Sequence, residues 1–561
     1  MRTLTVRVEV IRCDMVSSDN DSTQDEPPNR KENTLLPGSI SRMHLWLQDC
    51  QSSHTLCSTS RKHDKGWCPT RVIDIGPVDS TTWRLECTID HKDRQQFERY
   101  IALSYRWGRN PSLLLLLNTI DDFRHGKLID ELPRTFRDVV RVAKNFNVRY
   151  LWIDALCIIQ DSSEDWSREA LKMHQVYANS LFTIAATASA DENDGLFKHL
   201  DSATVMPGIM SLPLLSTTNE FRVYQREYWQ NHISQGPLHR RGWVFQERHL
   251  SRRVLYFGKQ VLWECLQAAR CEVFLDGMPH HASEKALDEL FQLRAGKRNE
   301  TRQHGPEMTR GVYCLWRNLV RNYVLCSFTK IEDKLVAFAG IAQVFYEATG
   351  DQYLAGLWRS HIKEGLDWRV HEPVAKSSPY RAPSWSWASI DGPARPELAT
   401  AYSKYPFEVL DAEVKLENTN PMSKVLDGHL IIKAWLLEGY CDSYKGEDMS
   451  ILRIGPHFTK ARLHPDVYGN GSLRSHKIYM FPLHSFLSQV SPRPNDIVAH
   501  VVFIWLERTV EHLDEDQDTY SRVGHFVIND ERFLSDVEFS SDEHGVMVPS
   551  QGGVFRIFKL K

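Results

Sequence analysis

The chain has 561 residues and a nearly balanced charge, with 68 Lys plus Arg against 72 Asp plus Glu and a formal net charge of −4 at pH 7. This balance gives no electrostatic footprint for a polyanion, so we expect no nucleic acid among its partners. No window of the sequence reaches the ~18 to 20 consecutive apolar residues that a membrane-spanning helix needs, and we expect no membrane span.

The cysteine content bears on the cellular compartment. Eleven cysteines occur in the chain, and its first residues contain no apolar run of the kind found in signal peptides. Free thiols without an export signal indicate a reducing compartment. We therefore expect a cytoplasmic protein, with the nucleus as the alternative.

The length is too great for one ordinary core, because domains commonly hold about 150 residues. We predict an N-terminal segment over residues 1–70 with a disordered insert, since Ser17–Asn33 is polar, charged and contains proline. A helical stretch is predicted to begin near Ser39 within this segment.

From residue 71 the sequence alternates between strand and helix patterns, which is typical of an α/β fold with a parallel sheet and helical insertions. The run Tyr150–Ile159 is almost continuously apolar and predicts a strand buried on both faces. Helices are predicted to begin near Leu132 and Ser163, where apolar residues recur with helical spacing. The other predicted elements are the strands Arg71–Ile75, Tyr100–Tyr105, Leu181–Ala188, Arg253–Phe257 and Gln260–Cys265, and the helix Trp243–Ser251. We assign this α/β domain to residues 71–275.

The pattern changes twice after the α/β domain. Residues 276–395 are predicted to be mainly helical, with Asp333–Gly340 as the clearest piece. Residues 396–561 form short alternating runs such as His429–Ala434 and His500–Trp505, separated by turn-forming residues. The sequence therefore predicts a β-rich C-terminal domain.

Several segments, read in order, resemble the heterokaryon-incompatibility (HET) domain of filamentous fungi. They are Tyr100–Gly108 (YIALSYRWG), Leu132–Phe136 (LPRTF), Arg149–Gln160 (RYLWIDALCIIQ), Asp165-Trp166 with Glu169 and Met173, Gly195–Phe197, Pro237-Leu238 and Arg241–Glu247 (RGWVFQE). Further on, Ala382–Ala388 (APSWSWA) is similar to a segment common in fungal proteins of this type. The resemblance implies a role in self/non-self recognition and programmed cell death when different hyphae fuse, through protein partners or self-association.

The same region has a more distant resemblance to TIR domains, some of which hydrolyse NAD. In the TIR enzymes a helix with Trp-Cys-x-x-Glu carries the catalytic glutamate and precedes a strand; Trp243 and Glu247 have this spacing, and Leu255–Phe257 follows. Val244 stands where the TIR cysteine would be. The turn Ser104-Tyr105-Arg106 is similar to the Ser-aromatic turn after the first TIR strand. The resemblance implies a TIR-like core.

Carboxylates suit the cleavage of NAD, because the departing nicotinamide leaves positive oxocarbenium character on the ribose. We therefore predict Glu247, Trp243 and Asp154 as catalytic candidates. The residues predicted to bind the nucleotide are Ser104, Tyr105, Arg106 and Trp107. NAD enters this hypothesis as a substrate, and no cofactor is required.

Each of these residues also has a structural interpretation. Trp243 is then a core residue, and Glu247 pairs with Arg241, Arg248 or Arg252. Asp154, placed in an apolar run where an unpaired charge is costly, then pairs with Arg106, Arg149 or a helix N-terminus. Glu169 either contacts the same crevice or is solvated on its helix.

The cysteines allow two further chemical hypotheses. We assign no metal to the chain, but Cys50, His54, Cys57 and Cys68 supply the ligand types of a tetrahedral zinc site, with His63 as a spare. Cys157 is interpreted as a core thiol rather than a nucleophile, because a nucleophile would need a spatially adjacent His, which a sequence does not reveal.

The sequence leaves three functions open. The first is a recognition and cell-death signalling module of the incompatibility type. The second is an NAD glycohydrolase that uses Glu247, and the third is a diverged, silent copy. The first two differ in whether Glu247→Gln abolishes function while the fold stays intact.

Overall fold

The computed structural model describes residues 8–12, 37–59, 66–198, 208–214, 217–225, 228–233, 236–274, 308–374, 379–397, 405–443, 450–467, 476–489, 497–509, 518–536, 539–541, 547–549 and 554–561. The insert predicted over Ser17–Asn33 and the spare ligand His63 lie outside these residues. The chain divides into two compact units, Met1–Thr301 and Arg302–Lys561. The finer division at residues 70, 275 and 395 stays a prediction.

The first unit is mixed α/β. Its strands are β1 (Val8–Arg12), β2 (Arg71–Asp74), β3 (Thr82–Cys87), β4 (Tyr100–Ser104), β5 (Lys127–Leu128), β6 (Tyr150–Trp152), β7 (Thr183–Ala185), β8 (Gly208–Leu214), β9 (Thr217–Gln225), β10 (Arg253–Phe257), β11 (Val261–Cys265) and β12 (Ala269–Cys271). Its α-helices are α1 (Pro37–Ser53), α2 (Thr55–Thr59), α3 (Ile120–His125), α4 (Arg134–Asn145), α5 (Asp154–Cys157), α6 (Ser163–Asn179), α7 (Tyr228–His232) and α8 (Gly242–Leu250). Short 3₁₀ turns occupy Thr88–Asp90, Gln95–Glu98, Ile129–Glu131 and Leu238–Arg240.

Nine strands form one sheet in the order β12-β11-β10-β7-β4-β6-β2-β3-β5. The four central strands, β10, β7, β4 and β6, are parallel, and antiparallel strands extend the sheet on both sides. All five residues of β4 are buried, as expected for a strand covered on both faces of a parallel sheet. The predicted parallel α/β sheet is therefore present within a larger mixed sheet.

The strand predicted over Tyr150–Ile159 is wrong after Trp152. The strand ends at Trp152, and α5 begins at Asp154. The backbone N–H groups of Cys157 and Ile158 donate to the carbonyls of Ile153 and Asp154 at 2.8 and 3.0 Å. A continuous apolar run does not distinguish a buried strand from a buried helical turn, so its periodicity could not show the change.

Other elements follow the predictions more closely. Helices α1, α4, α6 and α8 and strand β10 are present, whereas the strand predicted over Leu181–Ala188 is only three residues long. The stretch between Asp191 and Gln235, which has no clear periodicity, contains β8 and β9, and β9 pairs with both β8 and β1 in a separate antiparallel sheet.

A buried ion pair joins β2 to α6. Two nitrogens of the Arg71 guanidinium donate to the Asp165 carboxylate, with N–O distances of 2.9 and 2.5 Å. Arg71 and Asp165 side chains are only 10% and 4% exposed. The backbone N–H of Ile159 donates to the same carboxylate at 2.9 Å. Because both charges are out of water, neither side chain tolerates the loss of the other.

We expect Asp165→Ala to destabilise the protein by about 3 to 5 kcal/mol, because it leaves the Arg71 guanidinium buried without its carboxylate. Urea unfolding followed by tryptophan fluorescence measures the change. Glu164→Ala, an exposed neighbour in the same helical turn, is the control and is expected to stay within about 0.5 kcal/mol of wild type. Equal effects of the two substitutions would contradict the importance of the pair.

The second unit contains helices and a large, mostly antiparallel sheet, in which only the strand pair Thr519–Ile528 and Val554–Leu560 of the described residues is parallel. Its α-helices are α9 (Arg310–Tyr323), α10 (Ala339–Thr349), α11 (Ile362–Gly365) and α12 (Glu531–Asp536), with 3₁₀ turns at Ile331–Lys334, Val336–Phe338, Arg359–His361 and Trp387–Ser389. Its strands are β13 (Tyr353–Leu354), β14 (Leu357–Trp358), β15 (Trp368–Arg369), β16 (Arg395–Pro396), β17 (Glu408–Leu416), β18 (Val425–Ser443), β19 (Ser450–Ile454), β20 (His457–Ala461), β21 (Leu463–Pro465), β22 (His476–Gln489), β23 (Ile497–Arg508), β24 (Thr519–Ile528), β25 (Phe539–Ser541), β26 (Met547–Pro549) and β27 (Val554–Leu560).

The predicted β-rich C-terminal region is confirmed by this sheet. Its strands run in the order β20-β19-β18-β22-β23-β24-β21, and β27 pairs with both β18 and β24. The helix predicted over Asp333–Gly340 is wrong in detail, because this segment forms two 3₁₀ turns before α10 begins. None of the helices that the structure describes is long and apolar enough to cross a bilayer.

The tryptophans of the second unit are packing residues. Trp385 and Trp387 of the Ser-Trp-Ser-Trp motif are buried. The indole N–H of Trp387 donates to the Gly356 carbonyl at 2.8 Å, and the Trp385 carbonyl accepts a hydrogen bond from the Trp368 indole at 2.9 Å. Gly356 has φ +99°, and a Cβ there would lie 2.8 Å from the Trp387 indole nitrogen. This close approach requires glycine.

Candidate functional site

Polar side chains gather at the carboxyl end of the parallel strands in the first unit. Ser104 is the last residue of β4, Asp154 follows β6, and Glu247 lies on α8. In open α/β sheets ligands bind beyond the carboxyl ends of the strands. The candidate site therefore lies at the edge of the sheet where this rule places it.

Ser104 and Glu247 are in direct contact although 143 residues separate them. The Ser104 hydroxyl donates a short hydrogen bond to one oxygen of the Glu247 carboxylate. The two residues are 3% and 5% exposed. The end of strand β4 and helix α8 therefore meet at one buried point.

Asp154 is held by two hydrogen bonds. The indole N–H of Trp107 donates to one carboxylate oxygen at 2.7 Å, and the backbone N–H of Ala155 donates to the other at 2.7 Å. Trp107 and Asp154 are both half-buried. The hydrogen bond fixes the Trp107 ring next to the Asp154 carboxylate.

Arg241 supplies the positive charge of the site. Its guanidinium donates to the backbone carbonyl of Tyr105 at 2.9 Å, and its charge acts on both Asp154 and Glu247. The sequence predicts Arg241 only as an ion-pair partner of Glu247 and does not predict its contact with the turn after β4. Its position directly before α8 was the available signal.

The pKa of the Glu247 carboxyl is raised to about 7, mainly by burial and also by the negative charge of Asp154, whereas the hydrogen bond from Ser104 and the charge of Arg241 oppose the rise. Burial also raises the pKa of Asp154, against the hydrogen bonds from Trp107 and Ala155. Two carboxyl groups with raised pKa values in one place are typical of acid–base sites.

The remaining predicted binding residues are placed differently. The Tyr105 ring is buried edge-on against Phe136, with ring centroids 5.1 Å apart, and its side chain also interacts with Asp154 and opposes the rise in the pKa of that carboxyl. Arg106 is half-buried. Trp243 is also half-buried and packs edge-on against Trp166, with centroids 5.9 Å apart.

Three of the arginines considered as ion-pair partners of Glu247 or Asp154 bind other acceptors. Arg248 pairs with Glu264 at 3.1 Å, and Arg149 pairs with Asp74 at 2.6 Å. Arg252 donates to the backbone carbonyl of Ala178 at 2.9 Å. These cations therefore have acceptors of their own.

Two other residues of the sequence analysis lie away from the Ser104–Glu247 contact. Glu169 is buried and accepts hydrogen bonds from Thr70 at 3.0 Å and Lys172 at 3.2 Å, so it is neither solvated nor hydrogen-bonded to the site. Cys157 is 1% exposed, and burial raises its pKa to about 12. The interpretation of Cys157 as a core thiol is confirmed.

The proposed zinc ligands are corrected by the fold. Cys50, His54 and Cys57 lie together, but their fourth neighbour is Cys265, and Cys68 is not part of the group. Cys265 is at the end of β11, more than two hundred residues from Cys57 in the chain. Spacing along the sequence could not reveal this contact.

Residues 100–247 match the family model described as Heterokaryon incompatibility protein (HET). The chain contains a HET domain. Over 118 residues it is 28% identical to a protein named Heterokaryon incompatibility protein 6, OR allele, from Neurospora crassa. This similarity covers 20% of the chain and 17% of the relative. No solved structure matches the chain.

The HET domain begins with β4 and ends at Glu247. Two of its sequence segments are in contact: Gly195 donates its backbone N–H to the Thr135 hydroxyl at 3.1 Å, and the backbone N–H of Leu196 donates to Asp138 at 3.0 Å. Gly195 has φ +74°, and a Cβ there would lie 2.8 Å from an Asp138 oxygen. The strands β10, β11 and β12 extend the same sheet beyond the family match.

The raised pKa of Glu247 has a consequence for the stability of the HET domain. In the folded state the neutral carboxyl is favoured, so its stabilising contribution is present below the unfolded pKa and is lost as the pH rises through about 7. Glu247→Gln keeps a hydrogen-bond acceptor but removes the titration. Relative to wild type, we expect it to gain about 2 kcal/mol when the pH is raised from about 5.5 to about 8.5.

Urea unfolding of both proteins at the two pH values measures this gain. Glu131→Gln is the control, because Glu131 is exposed and its replacement is expected to change stability by less than about 0.5 kcal/mol. A Glu247→Gln effect that does not depend on pH would be inconsistent with a buried, titrating Glu247.

Proposed function

We propose that this protein acts in heterokaryon-incompatibility-type self/non-self recognition, with its HET domain signalling cell death. The supporting observation is the match of residues 100–247 to the HET family model, together with the likeness to a relative whose name carries incompatibility. Protein partners or self-association transmit the signal in this proposal, and the cytoplasm is its site of action.

A second, more specific function is supported by the Ser104–Glu247 contact beside Asp154. The proposal is that the HET domain hydrolyses the N-glycosidic bond of NAD and that the loss of NAD promotes death. A buried carboxylate held by a serine hydroxyl at the end of a parallel strand is a preorganised anion, and such a group stabilises an oxocarbenium-like transition state. The TIR-like spacing of Trp243 and Glu247 in the sequence also supports this proposal.

The chemical steps assign a role to each carboxylate. The bond between ribose C1′ and the nicotinamide nitrogen breaks, and its electron pair leaves with the neutral nicotinamide. The Glu247 carboxylate stabilises the positive charge on the ribose, with Ser104 holding that carboxylate in place. Water then adds to C1′, and its proton passes to the Asp154 carboxylate. No cofactor is needed, because water is the only other reactant.

The half-buried side chains define where a nucleotide would enter. Glu247 and Ser104 are buried, whereas Trp107, Asp154 and Arg241 retain exposure. In this proposal Trp107, fixed by its hydrogen bond to Asp154, stacks on a ring of the substrate, and Arg241 approaches a phosphate. Stacking on an oriented aromatic ring and a guanidinium–phosphate contact are common means of holding a nucleotide.

Expression of wild type and Glu247→Gln in a fungal host, with viability and total NAD scored together, tests both functions. If the protein is an NAD hydrolase, the wild type kills and depletes NAD, and Glu247→Gln does neither while accumulating to the same level. Toxicity that persists in Glu247→Gln with NAD unchanged would support recognition and signalling without hydrolysis. A wild type that leaves viability unchanged, even when candidate partner proteins from incompatible strains are co-expressed, would oppose the death-signalling proposal.

The pH dependence of NAD hydrolysis by purified protein provides a further prediction. The active form of Glu247 is the carboxylate, and its pKa is raised to about 7, so the rate constant kcat/KM is expected to rise with pH, roughly tenfold between about pH 6 and about pH 8. Glu247→Gln is expected to lower kcat/KM by about 100-fold or more. The exposed-site control Glu131→Gln should match wild type, and a pH-independent rate would argue against Glu247.

A further inference from the structure

Four potential metal ligands converge in the first unit, at a place distinct from the Ser104–Glu247 contact. The sulfur atoms of Cys50, Cys57 and Cys265 and a ring nitrogen of His54 all lie within 4.8 Å of one another. In a tetrahedral zinc site with Zn–S bonds of about 2.3 Å, neighbouring ligand atoms are about 3.8 Å apart. The observed spread is therefore close to that of a tetrahedral shell.

The fold delivers these ligands from two distant parts of the chain. Along α1 the buried side chains Met43, Trp46, Leu47 and Cys50 follow the spacing of one helix face. This face packs in the core, so Cys50 points inward. His54 lies between α1 and α2, Cys57 lies on α2, and Cys265 ends β11. The three cysteines are fully buried, and His54 is half-buried.

The surroundings of the cluster fit a charged metal centre. The Nδ1 atom of His54 lies 3.2 Å from the Cys265 sulfur, so this nitrogen faces the other ligands. The opposite nitrogen, Nε2, faces Asp49, whose nearest oxygen lies 3.9 Å away, within ion-pair distance but longer than a hydrogen bond. Metal-ligating histidines usually have a carboxylate or carbonyl at their second nitrogen, which fixes the ring and its tautomer.

Charge balance also favours a divalent ion. Three thiolates and a neutral imidazole around Zn²⁺ carry a net charge of −1. The Arg253 guanidinium donates to the Cys50 sulfur at 3.1 Å and brings the local sum to zero. Buried charge is tolerated when it is paired in this way.

We propose that Cys50, His54, Cys57 and Cys265 bind one zinc ion that holds the N-terminal helices against strand β11. Binding displaces the protons of the three thiols to solvent and leaves the sulfurs as thiolate ligands. Four protein ligands complete the tetrahedron, so the ion is structural and has no open position for water. The inference does not depend on the proposed function of the HET domain.

A structural ion here would explain how α1 and α2, which precede the family match, become part of the same core. Besides the four ligands, Asp49 on α1 forms an ion pair with Arg270 on β12, and Ser39 donates to Glu272 at 2.5 Å. The zinc ion would make this attachment dependent on the metal. Its loss is expected to free the N-terminal helices before the central sheet unfolds.

Zinc content is the first measurement. The full-length chain is expressed with added zinc, purified under reducing conditions without chelator, and analysed for metal by mass spectrometry. We expect about one zinc ion per chain, and X-ray absorption with three sulfur ligands at about 2.3 Å and one nitrogen at about 2.0 to 2.1 Å. A folded chain that holds no zinc before or after addition of the ion overturns the proposal, as does a disulfide bond among the three cysteines.

Cys68 provides a matched control, because it is another buried cysteine of the same unit but lies outside the cluster. Cys265→Ser is expected to lower the zinc content at least about tenfold, whereas Cys68→Ser keeps it. The reverse result would support the set predicted from sequence spacing and overturn the set proposed from the fold.

Two measurements avoid dependence on the folding of Cys265→Ser. Replacement of zinc by Co²⁺ in the wild type is expected to give the intense visible bands of a tetrahedral site and the near-ultraviolet charge-transfer bands of cobalt thiolates. Asp49→Asn, which retains all four ligands, is expected to weaken zinc binding by about 10- to 100-fold. An octahedral cobalt spectrum would overturn the proposal, and an unchanged affinity in Asp49→Asn would contradict the role of Asp49.

Discussion

The structure of the first unit depends on the burial of strand β4. Its five residues are buried, and it pairs in parallel with β6 on one side and β7 on the other. A strand in this position satisfies its backbone hydrogen bonds through its neighbours and leaves apolar side chains on both faces. Polar groups are therefore concentrated where the strand ends, and Ser104 occupies that end. The position of the site follows from this constraint.

Placing carboxylates at that end has an energetic cost. Mainly through burial, the pKa of Glu247 is raised to about 7 and the pKa of Asp154 is also raised. The ionised carboxylates are therefore less stable in the folded chain than in the unfolded chain, where water surrounds them. Ser104, Trp107 and Arg241 reduce this cost by hydrogen bonding or charge. Buried carboxyl groups with raised pKa values lower the stability of the folded domain when they are ionised. Groups of this kind are concentrated at functional sites.

The sheet of the HET domain continues into strands that lie outside the family match. Strand β10 continues the parallel core, and β11 brings Cys265 to the N-terminal helices. The family match ends at Glu247, but the sheet that positions Glu247 does not end there. The second unit has a different kind of core, in which indoles such as Trp385 and Trp387 are buried and their neighbours accept or donate hydrogen bonds.

Local patterns in the sequence determined much of this protein. Apolar spacing identified helices α4 and α6, helices α1 and α8 were also predicted, and the order of motifs identified the HET domain. The Trp-x₃-Glu spacing singled out Glu247 without showing what the carboxylate contacts. Tertiary structure decided the turn into helix at Asp154, the contact of Glu247 with Ser104, and the replacement of Cys68 by Cys265. These features depend on contacts between residues far apart in the chain, and periodicity and spacing report only on neighbours along it.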